Sequence, residues 1–169
     1  GTAVHGADTI IVAAPAFAHA YLSEQLAALL EPGQLVVFQP SVLGSSLELA
    51  RHFAAVRRPA CLIAETPTSL YTCRLRGPAQ VYIGAIKQAV QLATIPHNAC
   101  SQALARLRPY FGDRYVAGTD TRSVGLGNCN AIYHVPPAVL NIKTVEDSDK
   151  LPLHTLVTPR VAEVINALD

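Results

Sequence analysis

The stretch Thr9-Ile-Ile-Val-Ala-Ala14 is an unbroken apolar run of strand length, followed by Pro15 and then by leucines at helical spacing. The same order returns in residues 34–38, which are apolar after Gln34, and in residues 45–56, which have helical periodicity. Residues 61–64 supply a third apolar run. Strands that are buried on both faces read as continuous apolar runs, and alternating strands and helices with short connections favour a parallel sheet. The predicted fold is therefore α/β, with a parallel sheet flanked by helices.

Beyond the third apolar run the pattern changes. Residues 69–75 and 80–86, which are joined through Gly77-Pro78, predict a β-hairpin or an extension of the sheet. A helix is expected at residues 100–110 and a short strand at residues 114–116.

A cluster of Gly, Thr, Asp and Ser at residues 117–123 predicts a domain boundary. The predicted domains are residues 1–120 and residues 121–169. The second domain is expected to be helical and to end in a helix with Thr158 as its N-cap and Pro159 in its first position.

The second domain contains one histidine in apolar surroundings, His134, with Asn130 four residues before it and Asn141 seven residues after it. These spacings place the three side chains on one face if the helix continues, but Pro136-Pro137 predicts an interruption or a kink. Imidazole titrates near neutral pH and can give or take a proton, so His134 is a candidate catalyst. The alternative is a hydrogen-bonded core histidine.

Composition excludes several classes of protein. A net charge of +1 gives no basic surface for nucleic acid, and no apolar run reaches the roughly 18 residues that a membrane span requires. The four cysteines and six histidines are scattered without ligand spacing, which predicts neither a metal site nor a disulfide framework and favours the cytoplasm. The chain has no methionine and no secretory signal, so we expect it to be part of a longer protein.

Ligands of open parallel sheets bind at the carboxyl ends of the strands, which here carry Ala14-Pro15, Gln39-Pro40 and Thr66-Pro67. Small residues at these ends would let a cofactor approach the backbone, although proline is also an ordinary strand terminator. The dinucleotide fingerprint Gly-x-Gly-x-x-Gly is absent, because the sequence that begins at Gly125 has Asn130 in the place of the third glycine.

Four segments, in this order and spacing, resemble the octopine/nopaline (opine) dehydrogenase family. They are Asp8-Thr-Ile-Ile-Val-Ala-Ala-Pro-Ala-Phe-Ala-His19, Glu31-Pro-Gly-Gln-Leu-Val-Val37, Ala64-Glu-Thr-Pro-Thr-Ser-Leu-Tyr-Thr-Cys-Arg74 and Asn128-Cys-Asn-Ala-Ile-Tyr-His-Val-Pro-Pro-Ala-Val-Leu-Asn141. The resemblance implies a partial Rossmann-like domain followed by the start of an all-helical catalytic domain. It also implies a parent enzyme of about twice this length, of which this chain lacks the N-terminal phosphate-binding half of the Rossmann domain and most of the catalytic domain.

Such enzymes reductively condense the amino group of an amino acid with a 2-keto acid such as pyruvate, using NADH or NADPH. The resemblance implies that His134 is the catalytic histidine, whereas the aspartate that orients it in the family is expected outside this chain. Cofactor-binding positions are implied at Ala14, Pro15, Gln39 and Pro40. Substrate-binding positions are implied at Glu65, Thr66, Cys73, Arg74, Asn130 and Asn141, although helix or turn capping explains the two asparagines equally well.

Two other functions stay open at this point. A 2-keto acid or ketopantoate-type reductase would use a similar cleft without an amine, and a degenerate domain would bind no cofactor. The parent protein is expected to be active as an enzyme. For this chain alone, both activity and inactivity stay open. Residues 9–14 would form an exposed apolar sheet edge if upstream strands are missing, so we expect a homodimer or a partner segment.

Overall fold

The computed structural model describes residues 2–56, 61–147 and 153–168. Within these ranges it contains seven β-strands: β1 (Thr9–Val12), β2 (Leu35–Phe38), β3 (Leu62–Glu65), β4 (Tyr71–Gly77), β5 (Gln80–Ile86), β6 (Val90–Ile95) and β7 (Tyr115–Ala117). The same ranges contain seven α-helices: α1 (His19–Leu29), α2 (Ser45–Val56), α3 (Cys100–Phe111), α4 (Thr121–Leu126), α5 (Asn130–Leu140), α6 (Ile142–Glu146) and α7 (Pro159–Leu168). Short 3₁₀ turns lie at Ala16–Ala18, His97–Ala99, Gly112–Arg114 and Leu153–Leu156.

Five strands form the main sheet in the order β1-β2-β3-β6-β7. Strands β1, β2 and β3 are parallel, which confirms the predicted α/β fold with a parallel sheet flanked by helices. The prediction missed β6, which pairs antiparallel with β3 and carries β7 at its other side. Its sequence, Val-Gln-Leu-Ala-Thr-Ile, interrupts the apolar run with two polar residues, one exposed and one buried, and so gives a weak strand signal.

The central strands are buried on both faces because their side chains alternate between two cores. Val36 and Phe38 of β2 pack in one core with residues of α1 and α2, such as Leu26 and Leu49. The alternate residues of β2 pack in the other core with α3, where Leu107 is buried. Burying each such side chain stabilises the fold by about 1.5–3 kcal/mol, so these short strands depend on both layers of helices.

The predicted hairpin is present as β4 and β5, which form a separate two-stranded sheet. Its register places Cys73 opposite Ile83 and Leu75 opposite Val81 on one face. Arg74 lies opposite Tyr82 on the other face, where the Arg76 guanidinium carbon is 5.1 Å from the centre of the Tyr82 ring. Every residue of β5 is exposed. The hairpin therefore has an apolar face and a basic, polar face.

The chain divides into two compact units, residues 1–128 and residues 129–169. In the second unit α5 packs against α7 and the 3₁₀ turn Leu153–Leu156. As predicted, α7 begins at Pro159, and the Thr158 hydroxyl accepts a hydrogen bond of 3.3 Å from the Val161 N–H. Of the two predicted effects of Pro136-Pro137, the interruption is wrong, because α5 continues through both prolines to Leu140, and the kink stays a prediction. Both prolines are buried in the packing of this unit, which offsets the lost backbone donors.

Gly118 is a position where the fold tolerates no side chain. A Cβ at Gly118 would lie 2.5 Å from Cγ2 of the buried Val124 and 3.3 Å from the Leu92 carbonyl oxygen. We expect Gly118→Ala to lower the free energy of unfolding by about 1–3 kcal/mol, since an overpacked site must move its neighbours. Urea unfolding followed by circular dichroism measures this change.

Gly77→Ala is the matched control, because a Cβ there meets nothing nearer than the Gln80 side chain at 3.5 Å. Equal effects of the two substitutions would contradict the close packing of Gly118.

Candidate functional site

The predicted cofactor positions lie where the parallel strands of the main sheet end, which we call its carboxyl edge. Ala14 and Pro15 follow β1, and Gln39 and Pro40 follow β2. Because β1, β2 and β3 are parallel neighbours, their carboxyl ends meet at the same edge, and Glu65 at the end of β3 lies there too. The structure thus brings together the predicted residues of all three strand ends.

Gln39 is held at this edge from two sides. Its backbone N–H donates to the Val12 carbonyl oxygen at 3.0 Å, and its buried side chain accepts a hydrogen bond at Oε1 from the Tyr115 hydroxyl. Burial raises the pKa of Tyr115 to about 12, so this phenol stays protonated and donates throughout the neutral pH range. Tyr115 was not predicted as a site residue, since it is 76 positions from Gln39 in the chain.

His19 is a buried histidine that the sequence prediction also missed. Its ring is tilted against Phe38, with the ring centres 5.3 Å apart. One ring nitrogen, Nε2, lies 3.0 Å from the Ala14 carbonyl oxygen, and the other, Nδ1, lies 2.8 Å from the Ser45 hydroxyl. His19 therefore ties the loop after β1 to the start of α2. The signal in the sequence was its position at the beginning of the helix that follows the first strand.

Glu65 is a carboxyl group enclosed at the centre of the edge, with 1% of its surface exposed. Its Oε2 accepts hydrogen bonds from the Ser41 hydroxyl at 3.0 Å and from the backbone N–H of Ser46 at 3.1 Å. Its Oε1 has no partner among the described residues. Burial raises the pKa of Glu65, while the hydrogen bonds from Ser46 and Ser41 oppose this shift. The N-terminus of α2 also favours the ionised form.

Helix α4 covers the end of β3, and Gly125 is the residue that permits this. A Cβ at Gly125 would lie 3.3 Å from the Leu43 Cα and 3.5 Å from Oε1 of Glu65. Just after the helix, the Asn128 side chain donates to the Ser41 carbonyl oxygen at 3.0 Å. Gly125 thus has a packing role, consistent with its rejection as part of a phosphate loop.

Three further predicted positions have different surroundings. Thr66 is buried, and its hydroxyl donates to the Thr68 carbonyl oxygen at 3.0 Å. Cys73 and Arg74 are exposed on β4, and as adjacent strand residues they point to opposite faces of the hairpin. The Arg74 guanidinium donates to the Cys73 carbonyl oxygen at 2.9 Å.

In the second unit, α5 carries Asn130 and His134 one helical turn apart, and both are exposed. The alternative that His134 is a hydrogen-bonded core residue is therefore wrong for this chain. Asn141 lies just beyond the helix and caps it, because its side-chain amide donates to the Pro137 carbonyl oxygen at 2.8 Å and to the Leu156 carbonyl oxygen at 3.1 Å. Its φ of −123° takes it out of helical geometry, so it does not continue the face of His134.

The carboxyl ends of β1 and β2 combine small side chains with an amide that can donate hydrogen bonds. Ala14 and Pro15 present small side chains, and the Gln39 amide carries N–H donors that suit oxygen acceptors. Among residues 2–56, 61–147 and 153–168, no three His, Cys, Asp or Glu side chains lie together in a way that could hold a metal ion. None of the described helices combines the length and apolar character that crossing a membrane requires.

The raised pKa of Glu65 predicts a pH-dependent stability. Between the ordinary carboxyl pKa of 4.5 and the raised value the folded state binds more protons than the unfolded state, so stability falls as the pH rises through this interval. We expect Glu65→Gln to remove this loss, at about 1.4 kcal/mol for each pH unit by which the pKa is raised. Urea unfolding from pH 4 to pH 8 measures it. The exposed Glu24→Gln is the control, and parallel pH profiles of wild type and Glu65→Gln would refute the prediction.

Known proteins are similar to this chain in sequence and in fold. No known family profile matches it. An opine dehydrogenase of Arthrobacter sp. (strain 1C) is 31% identical over 170 residues, which covers 100% of this chain and 47% of that relative. The chain thus spans about half the length of the curated relative.

Among solved structures, a yersinopine dehydrogenase without ligand has a TM-score of 0.78 at 19% identity, covering 94% of this chain and 41% of that one. The same enzyme has been solved with NADP⁺. An octopine dehydrogenase with NADH and L-arginine has a TM-score of 0.69 at 20% identity, covering 96% and 41%. A ketopantoate reductase from Ralstonia eutropha JMP134 has a TM-score of 0.59 at 14% identity, covering 82% and 44%. At these identities the likeness to solved structures shows the fold.

The resemblance that the sequence motifs indicate is therefore confirmed: over its whole length this chain is similar to the opine dehydrogenases, and its sheet is the Rossmann-like sheet of that fold.

Proposed function

We propose that this chain is part of an NAD(P)H-dependent opine dehydrogenase, an oxidoreductase that condenses an amino acid with a 2-keto acid such as pyruvate. The observation that carries this proposal is the 31% identity over the entire chain with a protein described as an opine dehydrogenase. The octopine dehydrogenase structures with L-arginine and with pyruvate support an amino acid and a keto acid as the substrates.

For the cofactor, the proposed binding positions are Ala14, Pro15, Gln39 and Pro40, because they share the carboxyl edge of the parallel strands. The related folds hold NADH in one enzyme and NADP⁺ in another, which supports either nicotinamide cofactor. When bound, the cofactor supplies the hydride of the reduction. Residues 1–120 are proposed as the C-terminal part of a cofactor domain, and residues 121–169 as the N-terminal part of a catalytic domain.

His134 is the proposed catalytic residue. It is exposed on α5 and its imidazole can carry a proton to or from the substrate at neutral pH. Asn130, one turn earlier on the same exposed face, is proposed to contact substrate. The resemblance implies contact with substrate for Asn141 too, and the hydrogen bonds of its side chain support the alternative role of a cap that fixes the end of α5.

The remaining proposed substrate positions differ in how far a ligand could reach them. Cys73 and Arg74 are exposed, and Arg74 offers a cation for a carboxylate of the substrates. Glu65 and Thr66 are buried and bonded within the fold, so contact with substrate would require the residues around them to move.

A second candidate is a 2-keto acid reductase of the ketopantoate type, which would need no amine. The fold that this chain shares with a ketopantoate reductase favours it, because the same sheet edge would serve both reactions. The two functions differ in whether reduction requires an added amino acid. We place either enzyme in the cytoplasm, since Cys73, Cys100 and Cys129 are free thiols.

We also propose that the chain associates through β1, as a homodimer or with a partner segment. Strand β1 is at the end of the described sheet, where it pairs with β2 alone. Ile11 on this strand is 39% exposed, and an apolar edge strand is a template for pairing with another chain.

Amine-dependent oxidation of NAD(P)H is the decisive assay of the proposed reaction. With the full-length protein and pyruvate, we expect oxidation at 340 nm to require an added amino acid. His134→Ala is expected to lower kcat/KM by about 10²–10⁴-fold, the usual contribution of a general acid or base. His154→Ala, at another exposed histidine of the same unit, is the matched control.

Each other outcome has a definite meaning. Oxidation of equal rate without an amine would establish the keto acid reductase instead. Failure of both cofactors to be oxidised would favour a degenerate domain, and full activity of His134→Ala would remove His134 from the catalytic role.

Self-association is tested on the 169-residue chain by sedimentation velocity. We expect species larger than the 18.0 kDa monomer, and we expect Ile11→Lys to shift them to monomer, because a charged side chain blocks edge pairing. Leu47→Lys, at a residue of α2 that is 53% exposed, is the control. A monodisperse wild-type monomer would contradict self-association through β1.

A further inference from the structure

The bond between Tyr115 and Gln39 joins distant parts of the sheet at its carboxyl edge. Tyr115 begins β7 at one end of the sheet, whereas Gln39 follows β2, next to β1 at the other end. Tyr115 itself is fixed by packing, since it is 6% exposed and its ring meets the Phe111 ring edge-on at 5.4 Å between centres. The Tyr115 hydroxyl is therefore a rigidly placed donor.

The contact with Tyr115 occupies one end of the Gln39 amide and leaves the other end available. A primary amide accepts hydrogen bonds at its oxygen and donates from its nitrogen. The hydroxyl occupies Oε1, and within the described residues no hydrogen bond is made by Nε2. The orientation follows from the contact itself, in which the Tyr115 hydroxyl donates to Oε1 and the amide nitrogen is turned away from the phenol. The group left at the edge is an N–H₂ with two donors.

We propose that Tyr115 is a positioning residue that orients the Gln39 amide so that its nitrogen binds an acceptor oxygen of the ligand at the carboxyl edge. This inference rests on the proposed function and deepens it. The ligand chemistry is an oxygen acceptor, which either the nicotinamide cofactor or the 2-keto acid can supply. Without the hydroxyl this hydrogen bond is lost, and the contact that holds Oε1 away from the ligand is removed.

Side-chain amide NMR tests the inference directly on the ¹⁵N-labelled chain. In wild type the Gln39 N–H₂ signals are assigned and followed during separate titrations with NADH, NADPH and pyruvate. We expect one class of ligand to move these signals, which identifies the source of the acceptor oxygen. Tyr115→Phe is expected to shift the Gln39 signals before any ligand is added and to weaken binding of that ligand about five- to tenfold, the effect of one neutral hydrogen bond.

Two further variants separate orientation from folding. Tyr110→Phe removes a hydroxyl from an exposed tyrosine, 71% exposed on α3, and should leave the Gln39 signals and the affinity unchanged. Gln39→Glu keeps an oxygen acceptor for Tyr115 but has no N–H donor, so it should weaken binding at least as much as Tyr115→Phe. It therefore tests the role of the amide nitrogen even if Tyr115→Phe fails to fold.

The outcomes distinguish this inference from the proposed function. Binding that leaves the Gln39 signals in place, or equal affinities for wild type, Tyr115→Phe and Gln39→Glu, would overturn the inference while leaving the dehydrogenase function intact. Absence of any binding by wild type would count against both for this chain. If the Gln39 signals are the same in wild type and Tyr115→Phe, the hydroxyl does not orient the amide.

Discussion

Parallel pairing of three very short strands is the constraint on which the rest of this structure depends. Strands β1, β2 and β3 have four residues each, and parallel neighbours must run in the same direction. All three strands therefore end at the carboxyl edge of the sheet, and the loops that follow them lie side by side there. The apolar side chains that stabilise the sheet thus also determine where its polar residues meet.

The shared edge is fixed by buried polar bonds rather than by further apolar packing. His19 links the loop after β1 to α2, Tyr115 holds Gln39 after β2, and the N-terminus of α2 and Ser41 bind Glu65 at the end of β3. Breaking one such bond leaves a buried group unpaired, which costs about 1–3 kcal/mol. These bonds therefore give the edge a defined geometry, whereas exposed loops of the same length would adopt many conformations.

The features of this fold that could be predicted are those that depend on residues close together in the sequence. The helix at residues 45–56 and the α7 start at Pro159 follow from periodicity and capping, which are properties of neighbouring residues. Strand β6 was missed because its two polar residues interrupt the apolar pattern. It is buried only through its pairing with the neighbouring strands of the sheet. The hydrogen bonds at the carboxyl edge were missed because they join residues that are distant in the sequence. His19 and Ser45 are 26 residues apart, and Tyr115 is 76 residues from Gln39.

Hydrogen bonding within the fold also divides the predicted site residues into two kinds. Thr66 and Asn141 direct their side chains to backbone carbonyl oxygens, so their polar groups already stabilise a strand end and a helix end. Gln39 differs, because one end of its amide is bonded and the nitrogen is left as a donor. His134 differs again, because its ring is exposed on a helix whose end is capped by Asn141. The type of a residue predicts that its side chain is polar. Whether that side chain can bind a ligand depends on the hydrogen bonds that it already makes within the fold.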